Sequence, residues 1–251
     1  MVISVNTSDH SQAERLSRAK GYPYPIPDTS YIVDASGWRL LPENCLSSYF
    51  SGRVPVLALG SNRSPDQLMR KYSSKFISPI LVTLGWLYDF DVVYSAHITS
   101  YGSVPATLQY APGVEVAVSI TWLNPLQLVR MHETESVGIS YDFGRLSNVR
   151  VVLQHGELLT EAFVYISRLG NLVQDGDPLA MREAAAMGRR WPALGQEGIL
   201  NFICEKLSPN QNLDSFVFAH LNSAETRHAR TALLSQSASP FAYSGFEIIA
   251  G

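Results

Sequence analysis

Cysteine is scarce in this chain: 251 residues carry two, Cys45 and Cys204, and neither belongs to a CxxC pair. That excludes a disulfide-stapled scaffold and the paired-thiolate zinc motifs. It predicts reduced, mostly buried thiols in a cytoplasmic protein, with spacing alone leaving one bond between them open. The six histidines are scattered and form no HExxH, so no metal is expected. Long apolar runs are absent too. None reaches about 18 residues, which argues against a membrane-spanning helix, and Met1–Gly21 lacks the apolar centre of a secretory signal. Basic residues do not cluster and the formal net charge is only −3, so no nucleic-acid partner is expected.

What is present suits a globular enzyme or binding domain. Hydrophobic residues make up 46% and charged residues 16%, enough apolar surface for a full core and too little charge for global disorder. Residues 1–50 read as an irregular N-terminal arm. Within it, Gly21-Tyr22-Pro23-Tyr24-Pro25-Ile26-Pro27 has three prolines that remove amide donors and restrict their neighbours, so it reads as an extended surface arm.

Residues 51–170 read as a β-rich core. Val54–Leu59 is a short apolar run ending at Gly60. Ser64-Pro65-Asp66-Gln67 then gives an N-cap, a proline at the first helical position and a capping-box glutamine, predicting a helix to Tyr72. Strands are predicted near Ile80–Tyr88, Asp91–Ser95, Ala106–Tyr110 and Val114–Trp122, with turns at Asp89–Phe90 and Pro112-Gly113. Asn124-Pro125 opens a second helix to Glu135, and a hairpin turns at Gln154-His155-Gly156-Glu157. Residues 171–251 read as a helical extension packed on this core, with helices from Asp177-Pro178 to Met187, near Gln196–Leu207 and over Asn212–Ser235.

Two features carry chemistry. In the helix at 125–135, Leu128, Met131, His132 and Glu135 share one stripe, so Glu135 points inward while Glu133 lies on the polar side. An inward glutamate must be paired, protonated or lining a cavity. It is either a structural carboxylate or, with its pKa raised by burial, a general base. The second feature is the turn Leu59-Gly60-Ser61-Asn62 between strand and helix, which can aim backbone amides at an anion or be a plain turn. Neither a nucleotide-binding glycine motif nor a nucleophile elbow is present. Arg63, next in line, is expected in solvent.

Leu57-Ala58-Leu59-Gly60-Ser61-Asn62 resembles the Tyr-Gly-Ser-Asn strand-and-loop signature of the gamma-glutamylcyclotransferase-like family. Val104-Pro105-Ala106-Thr107-Leu108 resembles its second strand, Leu128–Val137 the segment with its catalytic glutamate, and Tyr165–Leu179 a later strand and loop. Tyr101-Gly102-Ser103 matches the signature letters better but precedes a strand and no capped helix. The resemblance implies an α+β fold, a mostly antiparallel barrel-like sheet with flanking helices. It implies release of 5-oxoproline and an amine from a gamma-glutamyl or similar acidic amide, with Glu135 as acid/base and Leu59, Gly60, Ser61 and Asn62 holding substrate, without cofactor or metal. Two positions depart from the pattern: Leu59 replaces the tyrosine, and Ser136 replaces the glycine that commonly follows the glutamate. The alternatives are a catalytically silent binding module on the same fold, or another amide-processing enzyme using the same glutamate.

Overall fold

The computed structural model describes residues 7–42, 50–72 and 78–251. Its centre is a closed five-stranded barrel of β3 (Val54–Ala58), β4 (Ile80–Tyr94), β5 (Ala106–Leu123), β6 (Tyr141–Leu153) and β7 (Leu158–Ser167). Around the barrel the order is β5-β3-β7-β6-β4, and β4 pairs back onto β5. Every pairing is antiparallel except β3 with β7. The chain is therefore α+β, with helices around a mostly antiparallel barrel. Among the described residues no helix is long and apolar enough to cross a membrane.

Successive residues on a strand point to opposite faces, and here both faces are covered. Leu57, Leu81 and Ile120 pack in the main core. Their neighbours Val56 and Val82 pack outside the barrel against Leu68, Tyr72 and Met131 of two helices, α2 (Pro65–Tyr72) and α3 (Pro125–Glu135). This double burial explains why β3 and β4 read as continuous apolar runs. The expected turns at Asp89–Phe90 and Pro112-Gly113 are not chain reversals. They are one irregularity in a long β4–β5 pair, where the register jumps between Tyr88 and Phe90, Asp89 takes φ +65°, and the Gly113 amide donates to its carboxylate at 2.8 Å.

The ends of the chain depart most from expectation. The irregular arm instead holds α1 (Thr7–Lys20) and a hairpin, β1 (Tyr31–Asp34) and β2 (Gly37–Leu40), whose first strand pairs with β4. The α1 helix docks on the C-terminal helices: Lys20 meets Asp214 at 2.7 Å, and Arg15 donates to the Leu221 carbonyl. Tyr22, expected on a surface arm, is buried. No helix forms over 177–187. Two-residue strands there pair with β4 and β5, and Arg189 clamps the buried Asp91 with two bonds of 2.7 Å. Sheet pairing overrides the local Asp-Pro helix signal. The three helices that follow are α4 (Gln196–Leu207), α5 (Leu213–Asn222) and α6 (Ala224–Ser235), the last two separated at Ser223, whose hydroxyl caps α6. A final strand, β8 (Phe246–Ala250), pairs with β6. Cys204 is a free buried thiol, while Cys45 lies outside the described residues.

Both barrel-side helices occupy their expected spans, for different reasons. Asn124 and Gln127 form the full capping box of α3. At α2 the box does not form: the Ser64 hydroxyl and the Gln67 Oε1 are buried without partners. Asn124→Ala should therefore lose about 1 kcal/mol of stability. Ser64→Ala should cost nothing or stabilise slightly, because it removes an unmet hydroxyl. Urea unfolding of the two variants side by side measures the contrast.

Candidate active site

Strand and helix lengths place Glu135. β3 runs five residues to the 59–62 loop, and antiparallel β5 ends beside the start of β3, with Val54 opposite Leu123. The chain must return along the barrel before it can reach the loop. The α3 helix has 11 residues, a rise of about 16 Å, and five strand residues span about the same distance. Its last residue, Glu135, thus arrives level with Asn62, and the Asn62 amide nitrogen donates to Glu135 Oε1 at 3.0 Å.

The same oxygen is bonded by the ammonium of Lys71, from the last turn of α2. Only 9% of the Lys71 side chain and 14% of the Glu135 side chain are exposed, so this is a largely desolvated ion pair rather than a surface contact. Lys71 also lies 3.7 Å from Met131 Sδ, and Arg130 donates to the Lys71 carbonyl. Both bonds to Glu135 fall on Oε1. Oε2 is bonded to no described residue. Glu133 instead faces solvent in a pair with Arg130, as its place on the polar stripe predicts.

Glu135 and all four loop residues, Leu59, Gly60, Ser61 and Asn62, line one cavity of about 440 Å³, within the range of small-molecule sites. Its walls come from across the chain: Tyr22 before the hairpin, His97 and Tyr101 after β4, Tyr141 at the start of β6, and Arg227, His228 and Thr231 of α6. The Tyr101 sequence, rejected as the loop itself, still enters the site: its phenol lies beside the Ser61 hydroxyl, and burial raises its pKa. Leu59 is buried and apolar. Tyr22 brings a phenol to the neighbouring residue. A Cβ on Gly60 would lie 1.8 Å from the Tyr22 hydroxyl and 3.1 Å from Ala106 Cβ, so close approach, not an unusual φ, requires glycine there.

Arg63 departs from the solvent position expected of it. It is 7% exposed, its Nη1 is buried without a partner, and its Nε reaches only the Ser119 hydroxyl at 3.4 Å. Burial lowers its pKa to about 10, with Tyr31 and Tyr22 opposing. It stays charged at neutral pH and puts a cation one residue beyond Asn62. Ser136 adopts the left-handed C-cap conformation, φ +53°, which explains why a glycine suits that position. Among the described residues, no three of His, Cys, Asp and Glu come together in a way that could hold a metal ion.

The stripe pointed Glu135 inward and the resemblance brought it to the loop; Lys71 was missed. Its signal was the same arithmetic, because Lys71 follows Gln67 and Leu68 at i+4 and i+3, and both are buried. Tyr22 and the α6 residues had no local signal, since only tertiary docking brings them in.

No family model matches the chain, and no curated protein matches it. Several solved structures are similar. An uncharacterised human protein is 15% identical, over 78% of this chain and 93% of its own, with a TM-score of 0.40. A structure described as gamma-glutamyl cyclotransferase is 16% identical, over 77% and 92%, at 0.38. YkqA from Bacillus subtilis is 12% identical, over 87% and 76%, also at 0.38. Likenesses this distant assign no chemistry, which rests instead on the cavity residues.

His97 gives the site a pH signature. It is 8% exposed, bonded through Nδ1 to the Ser95 hydroxyl at 2.7 Å, and burial lowers its pKa to about 4 against a smaller opposing effect of Glu135. His220, on α5, is pushed down to about 3 by burial and then by Arg230 and Arg227. Between pH 6.5 and 4 the unfolded chain binds protons at these imidazoles that the folded chain refuses. Stability should therefore fall as pH drops through that window, by on the order of 3 kcal/mol for His97. Urea midpoints across pH should show His97→Asn with a slope shallower by about one proton.

Proposed function

We propose that the chain is a gamma-glutamylcyclotransferase-like enzyme that closes the glutamyl unit of a gamma-glutamyl amide into 5-oxoproline and releases the attached amine. The observation that carries this reading is the mounting of Glu135. Lys71 and Asn62 fix it through Oε1, and it shares a cavity with the 59–62 loop, so Oε2 is the oxygen left for proton transfer.

Oε2 takes a proton from the substrate's α-ammonium. The freed amine attacks the γ-carbonyl carbon, and a C–N bond closes the five-membered ring. Glu135 then returns its proton to the leaving nitrogen as the original amide bond breaks, takes the second proton from the ring nitrogen, and passes it to the departing amine, which leaves as an ammonium while the ring becomes a neutral lactam. Nucleophile and electrophile belong to one molecule, so correct folding of the substrate can remove up to about 7–11 kcal/mol of barrier, and no covalent enzyme intermediate is required. Atoms and charges balance without cofactor or metal. Gly60, Ser61 and Asn62 orient the substrate's carboxylate, Leu59 forms an apolar wall, and the buried charge of Arg63 favours an anion nearby.

Leu59 favours a second reading. An apolar residue where the resembling family has a phenol suits a module that binds such compounds without turning them over. A panel of gamma-glutamyl compounds, read for 5-oxoproline by mass spectrometry, separates the readings. Turnover is expected from the wild type, with a loss of about 10²–10⁴ in kcat for Glu135→Gln. That variant also strips Lys71 of its counter-ion, so it should unfold at lower urea and must be assayed where it remains folded. Release of 5-oxoproline by Glu135→Gln at the wild-type rate would sink the assignment. Binding without turnover would favour the silent module, and a different product another amide chemistry.

A further inference from the structure

We propose that the Tyr22 hydroxyl is the donor that meets the substrate's scissile carbonyl oxygen as ring closure charges it, an inference that rests on the ring-closure reading above. Tyr22 is 4% exposed and lines the cavity with Glu135. Its oxygen accepts the Ala106 amide at 2.9 Å and faces the Ser61 amide as well. A phenol oxygen has two acceptor sites and one proton. The Ala106 amide occupies one acceptor site, and no described residue accepts the phenol proton.

Two other phenols of the cavity are engaged, and a third sits beside a hydroxyl. Tyr141 donates to the Ala106 carbonyl at 3.1 Å, Tyr165 is bonded to His132 Nδ1 at 2.9 Å, and Tyr101 lies beside the Ser61 hydroxyl. The Tyr101 proton also meets no acceptor among the described residues, and what sets Tyr22 apart is that its oxygen is held by the Ala106 amide at 2.9 Å and wedged against Gly60. Burial raises its pKa far above the usual value, ahead of smaller effects of Tyr101 and Glu135 and against the two amides, so it remains a neutral donor at any working pH.

The Ala106 amide donating to this hydroxyl, with the Ser61 amide facing it, polarises it, and hydrogen bonds in series strengthen one another. The loop therefore acts on the substrate partly through Tyr22: amide to phenol oxygen, phenol proton to carbonyl oxygen. A donor fixed before the reaction, aimed where charge develops, lowers the barrier without reorganising. Gly60 is what lets the hydroxyl in.

The test uses the full-length protein and the gamma-glutamyl compound it turns over fastest. Tyr22→Phe keeps the ring and removes the proton. The expected result is a fall of about 10²-fold in kcat, with KM changed by less than about threefold. Calorimetric affinity for 5-oxoproline should stay within about twofold, since product carries no developing charge. Gly60→Ala, which displaces the hydroxyl, should reproduce the loss in kcat. Tyr22→Phe turning over at the wild-type rate would overturn the proposal and leave ring closure by Glu135 standing. A raised KM at unchanged kcat would also overturn it, placing Tyr22 in ground-state binding. Loss of product affinity together with turnover would assign Tyr22 to the pocket's architecture instead. A wild-type chain that releases no 5-oxoproline from any panel member overturns both readings.

Discussion

A carboxylate that ends a helix and turns inward is opposed twice, by the helix's own terminal carbonyls and by the loss of water. In this chain the Lys71 ammonium answers both, and the surrounding structure is arranged so that it can. The α2 and α3 helices leave neighbouring strands of the barrel and end side by side, each contributing one member of the pair. Lysine suits the end of its own helix, where the dipole favours a cation. Asn62 shares the same carboxylate oxygen, leaving the other oxygen uncommitted. The asymmetry gives Glu135 one held oxygen and one that no described residue bonds.

The second constraint is space beside Gly60. The loop sits against the start of β5, and the Tyr22 hydroxyl fills the gap where a side chain would be. Leu59, in turn, packs into the main core. The phenol absent at position 59 is thus not absent from the site: Tyr22 brings one, carried by the segment between α1 and the first hairpin.

The barrel's middle was largely legible in the sequence because its signals are local. Asn124-Pro125 marks a helix start, and the structure completes it with a capping box through Gln127. Glycine and a polar tetrapeptide mark the 154–157 hairpin. The stripe through Met131 and Glu135 needs only helical geometry. Other signals were right for a reason the structure does not use, as at Ser64, where α2 begins without its cap because Leu68 and Tyr72 anchor it in the outer core. What could not be read depends on distant partners. The α1 helix is held by contacts to α4 and α5, residues 177–187 take their pairing from β4 and β5, and Arg63 is buried against Tyr31 and Ser119, 32 and 56 positions away.

The cavity is assembled from positions as far apart as Tyr22 and Thr231. Contacts of such long sequence separation form late, because the chain entropy of closing them is spent before they return any stability. Barrel and helices can each gain most of their hydrogen bonds while the pocket still lacks a wall. The pocket is therefore complete only where both ends of the chain are docked: loosening either end removes a wall from it while the barrel's own pairing stays intact.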